Sequence, residues 1–80
     1  MIIDQGLLLA AEKLCTGANV HDINARRASY VAWIELANEP GITSLQRMSR
    51  DYEARRHEDL LRSLLRKLAG AQFSKPGEGQ

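Results

Sequence analysis

Cysteine, proline and aromatic residues are all scarce in this chain: one Cys, two Pro, one Trp, one Phe and two Tyr. Each scarcity removes a class of protein. With Cys15 alone no intrachain disulfide can form, and a solitary thiol suits a reducing compartment. No apolar run is long enough to span a bilayer, which takes roughly 20 residues; Leu7–Ala11 is closed by Glu12. Asp4 stands where a signal peptide would carry basic residues. These features predict a cytoplasmic chain without membrane attachment. Alternating apolar and polar residues are missing throughout, which argues against strands.

Chemical motifs are missing as well. The glycines are isolated, so no phosphate-cradling loop is present. His57-Glu58 begins an H-E-x-x-H pattern, but Leu61 occupies the place of the second histidine. Cys15, His21 and His57 match no zinc spacing. Ser29, Ser44, Ser49 and Ser63 all fall on or beside predicted helices, none in a strained turn that would expose a nucleophile. A bundle this small has little room for a ligand cavity. The expectation is a protein that is not an enzyme and takes no cofactor, metal or small-molecule substrate.

What remains is an all-α pattern. The chain of 80 residues is expected to be one small three-helix domain over residues 1–70, with a mobile polar tail at 71–80. The first helix is predicted at about 3–15, where Ile3, Leu7, Ala10, Ala11 and Leu14 share a face. Gly17 is placed to stop it in a left-handed turn, and Asn19 or Asp22 can cap the next. The second, at about 20–38, aligns Ile23, Arg27, Tyr30, Val31, Ile34 and Ala37 and ends before Pro40. Thr43-x-x-Gln46 is a capping box that opens the third. Nothing interrupts it until Gly70, so it is predicted as one long helix at about 43–69, about 39 Å in length.

The apolar residues of that long helix point two ways. With Leu45 as zero and about 100° per residue, Met48 falls near −60° and Tyr52 near −20°. Leu60, Leu61, Leu64, Leu65 and Leu68 spread from about 60° to about 200°. A straight helix cannot press both sets against one surface. The reading adopted from sequence is that Leu45, Met48 and Tyr52 close the monomer core, while the five leucines face a protein partner or a second copy. A chain this short buries only about 60% of its unfolded surface and gains from association, so a homo-oligomer is expected. Trp33, with Leu36 and Tyr30, forms a second candidate contact surface, because tryptophan is enriched at binding hot spots.

Charge is balanced at +1 overall, but residues 1–40 are mildly acidic and 41–70 mildly basic. Asp51 precedes Arg55, and Glu58 precedes Arg62, at the spacing of a salt-laced solvated helix. The stretch ELANEPGITSLQRMSRDYEARRHEDLL resembles helix-turn-helix segments of some transposase and phage packaging proteins. That resemblance implies two helices, 43–52 and 57–69, with Arg55, Arg56 and Arg62 contacting DNA. The chain departs from the motif at its turn, which usually contains glycine; Glu53-Ala54-Arg55-Arg56 are good helix formers. The leading expectation is a non-catalytic protein–protein interaction module, with a DNA-binding regulator as the alternative.

Overall fold

The computed structural model describes the backbone of residues 1–73 and the side chains of residues 1–70. Three helices follow in order: α1 (Gln5–Leu14), a short 3₁₀ turn (Gly17–Asn19), α2 (Val20–Ala37) and α3 (Ser44–Phe73). The protein is all-α, two shorter helices and one long one, with no strand among the described residues.

Local chemistry explains the boundaries. The Asp4 carboxylate accepts from the Leu7 N–H at 3.2 Å, so α1 starts after Asp4 rather than at Ile3. Gly17 (φ 58°) and Gly41 (φ 81°) take the left-handed backbone that the two inter-helix turns require. Neither Asn19 nor Asp22 caps α2. The 3₁₀ turn runs straight into the helix, and the Val20 N–H bonds to the Gly17 carbonyl. At α3 the capping box is complete: the Gln46 N–H donates to Thr43 Oγ1 at 3.1 Å, and the Thr43 N–H to Gln46 Oε1 at 2.9 Å. Gly70 does not end α3, which runs on to Phe73. One glycine costs a helix only about 1 kcal/mol, and Ala71-Gln72 permit it to continue. The rest of the expected tail, 74–80, and the Phe73 side chain lie outside the described residues.

The helices pack antiparallel in sequence. The Met1 ammonium meets Asn38 Oδ1 at 2.9 Å while Cys15 Sγ lies 3.5 Å from Asn24 Oδ1, so α1 descends along α2. Asp4, just ahead of α1, already contacts Arg62. The helix α1 therefore lies beside the part of α3 that follows Arg62, and the first half of α3 has only α2 and the loops for company. The α2–α3 pair is the most extensive packing in the molecule. Its shape is a rod, 54 × 20 × 18 Å.

The core contains Leu7 and Ala11 of α1, Ile23, Tyr30 and Ile34 of α2, and Ala54, Leu61 and Leu65 of α3. This inverts the expectation for α3. Leu61 and Leu65 are 0% and 6% exposed, whereas Leu45, Met48 and Tyr52 are 75%, 67% and 67% exposed. On the same wheel Arg50, Ala54, His57, Leu61, Leu65 and Leu68 fall between about 120° and about 200°, one straight buried or half-buried stripe. The stripe never turns; its composition changes. In the first half it is built from an alanine, a histidine ring and an arginine instead of leucines.

Candidate interaction surface

Three anchors fix the first half of α3 against α2. The His57 ring stacks on Trp33, with centroids 6.1 Å apart and planes 12° from parallel. Ala54, without a long side chain, lets the backbones approach and is fully buried. Arg50 Nη1 donates to the Leu36 carbonyl and to Glu39 Oε2, both at 2.9 Å. A cation there satisfies a carbonyl of the last turn of α2 and complements its dipole. These contacts hold α3 with Leu45, Met48 and Tyr52 on the opposite side, about 180° from the buried stripe.

Residues 44–49 are exposed all round, so α3 begins as a helical spur with no tertiary cover. Leu45 and Met48 project from the spur, and Tyr52 continues their face one turn on. Beyond Tyr52 the same face forms a groove of about 440 Å³ lined by Tyr52, Arg55, Arg56, Asp59, Leu60 and Ser63. Leu45, Met48 and Tyr52 thus form an exposed apolar cluster beside the charged side chains of that groove.

A polar network clamps the other end. The Tyr30 hydroxyl accepts from the Asp4 N–H at 2.9 Å and donates to Glu58 Oε2 at 3.1 Å. Arg62 pairs with Asp4 and lies 3.8 Å from Glu58 Oε1. One tyrosine thereby joins all three helices. The hydrogen bond from the Leu7 amide, helped by Arg62, holds the Asp4 carboxyl below its usual range. Burial pushes the Tyr30 phenol up, and the Asp4 carboxylate raises Arg62.

The residues singled out from sequence divide accordingly. Leu61, Leu65 and Tyr30 are buried in the chain's own core and are corrected from contact residues to core residues. Leu61 and Leu65 lie furthest from Leu45 on the wheel, and it is Leu45 that faces outward. Leu60, Leu64, Leu68 and Trp33 are half-buried, and Leu36 is exposed. Trp33 packs on His57 and the core. Of the three arginines assigned to DNA, Arg56 pairs with Glu53 at 3.1 Å and Arg62 with Asp4. Arg55 makes no ion pair among the described residues, and the expected Asp51–Arg55 bridge is not formed. Instead Asp51 Oδ1 is buried without a hydrogen-bond partner, for which we have no physical account. The two-helix arrangement of a helix-turn-helix does not form, because α3 is unbroken through residues 53–56.

Leu45, Met48 and Tyr52 were visible in the sequence but placed on the wrong side. Extending the Leu61–Leu65–Leu68 stripe backward through His57, Ala54 and Arg50 would have located them outside. Among the described residues no helix is long and apolar enough to cross a membrane. No family model, curated protein or solved structure matches the chain.

Proposed function

We propose that this chain is a small non-catalytic helical module that binds protein through the outward face of α3, and that it works in the cytoplasm. One observation carries the reading: Leu45, Met48 and Tyr52 are 75%, 67% and 67% exposed on the side of α3 turned away from its own core. Apolar side chains gain about 25 cal/mol per Å² when covered, and the described residues leave these three largely uncovered. Tyrosine suits the centre of such a surface, because its ring supplies contact area and its hydroxyl stays hydrogen-bonded. Arg55, Arg56 and Asp59 provide the polar rim that a reversible interface needs.

The test is site-specific photo-crosslinking in the native cell. A photoreactive residue is placed at Met48, at Tyr52 and, as a control, at Arg26, an exposed site on α2. Covalent protein adducts at Met48 and Tyr52, weak at Arg26 and removed by Leu45→Glu, are the expected result. Equal labelling at all three positions would show that the α3 face has no special role.

A further inference from the structure

The proposed surface has a shape that names its occupant. We propose that the outward face of α3 pairs antiparallel with the same face of a second copy, the two-fold axis passing near Tyr52. This rests on the reading of that face as a protein contact and adds what fills it.

The face is self-complementary along its length. Its N-terminal end carries projecting residues, Leu45 and Met48, and its C-terminal end carries the 440 Å³ groove over Leu60. An antiparallel pair centred on Tyr52 brings Met48 of each copy to Arg56 of the other, and Leu45 to the groove wall at Asp59. Each projection then meets a hollow, twice, as an isologous two-fold contact requires.

Charge selects the same orientation. A parallel pair would set Arg55 and Arg56 against their own duplicates. The antiparallel pair lays the aliphatic stems of those arginines over Met48 and Leu45, with the guanidinium groups at the rim. It also carries Asp59 to the N-terminus of the second copy's α3. The first turn of α3 contains no acidic residue of its own, and a carboxylate is stabilised at that end of a helix.

Space permits the pairing. The helices α1 and α2 lie behind α3, about 180° from this face, and do not obstruct the approach. From Leu45 to Ser63 the helix runs about 27 Å and is about 10–12 Å across, a strip of about 300 Å² on each copy. The total, about 600 Å², is small beside the roughly 1,200 Å² of a stable specific interface. A reversible dimer follows, not a permanent one.

Sedimentation of the full chain from about 1 to about 100 µM should show a shift from monomer to dimer, the range a low-area interface predicts. Leu45→Glu should remain monomeric throughout, with a melting curve that matches the wild type at dilute, monomeric concentration. Disulfide trapping in a Cys15→Ser background reads the orientation. Tyr52→Cys should link to itself, and Met48→Cys should link to Arg56→Cys in a mixture but not to itself. Rapid self-linking of Met48→Cys would overturn the antiparallel arrangement. A wild-type chain that stays monomeric and fails to link through Tyr52→Cys would overturn self-pairing altogether. If photo-crosslinks at Tyr52 to a different protein persist in that case, the contact role of α3 stands and only the second copy is wrong; if they vanish too, both fall.

Discussion

The two halves of α3 share one helix, one straight buried stripe and one core, yet they solve burial differently. The second half lies between α1 and α2 and turns Leu61, Leu64, Leu65 and Leu68 inward. The first half has α2 alone for a helical neighbour and turns Ala54, His57 and Arg50 inward, leaving Leu45, Met48 and Tyr52 outside. A two-layer contact at close range favours a small residue and a flat ring; a three-layer contact favours branched aliphatics that fill the space between helices. Hydrophobic periodicity therefore identifies a surface that water disfavours. Whether the chain itself or another molecule covers it depends on which neighbours reach it.

The contrast breaks most visibly at equivalent leucine-scale substitutions in the two halves. Leu61→Arg buries an unpaired charge and costs several kcal/mol, much of the stability of a domain this size, which is about 5–15 kcal/mol. Loss of helical circular dichroism and of a cooperative melt is expected. Tyr52→Arg places its charge in water and should melt like the wild type. If both variants stay folded, the buried stripe is misplaced.

Next in size is the stack that anchors the first half. Trp33→Ala should cost about 2 kcal/mol, less than the roughly 3–5 kcal/mol of a fully buried aromatic, because Trp33 is only half-buried. The damage should be local. Amides of residues 50–57 should exchange faster by hydrogen exchange while those of 61–68 change little. Uniform acceleration along α3 would show that the two halves are one cooperative unit.

A smaller effect concerns acid. The Asp4 carboxyl titrates below its unfolded value when folded, so its contribution is complete above about pH 3.9. It is lost as the pH falls through the folded value. Protonation removes the ion pair to Arg62 and weakens the cap, so α1 should loosen before the α2–α3 pair does. In Asp4→Asn the cap acceptor is retained and the charge is gone. That variant should lack this acid-dependent step, followed by the NMR ring signals of Tyr30, whose hydroxyl accepts from the Asp4 N–H. A step that persists unchanged must arise from other carboxylates.

The smallest effect sharpens the comparison from the other side. Leu45→Ser and Met48→Ser remove apolar groups that are 75% and 67% exposed, so stability at a dilute, monomeric concentration should shift by no more than about 0.5 kcal/mol. A loss near 2 kcal/mol would place these side chains in a monomer core after all.

Sequence reasoning reached the fold through residues whose chemistry acts locally. Thr43 and Gln46 announce the start of α3, Gly17 and Pro40 bound its predecessors, and the run from Leu45 to Ala69 lacks anything that would bend a helix. The inner face of α2 was legible for the same reason, since Ile23, Tyr30, Ile34 and Ala37 recur at helical spacing and all are buried. The exposed apolar face of α3 was not legible. Its residues are apolar in the sequence, but their direction depends on where α1 begins along α3. That is settled by tertiary contacts such as Asp4 with Arg62, which are remote in sequence. Trp33 on His57 was equally hidden, because a ring stack leaves no periodic trace.

The spur at residues 44–49 gives the capping box a second consequence. A helix end without tertiary support frays, because its residues regain backbone freedom of about 1–2 kcal/mol each in TΔS. The reciprocal bonds between Thr43 and Gln46 oppose that fraying. They hold Leu45 and Met48 in helical register before anything arrives, so association need not supply the ordering entropy. Changing Thr43 would thus leave every contacting side chain in place and still slow productive encounters, by lowering the fraction of molecules whose spur is already wound.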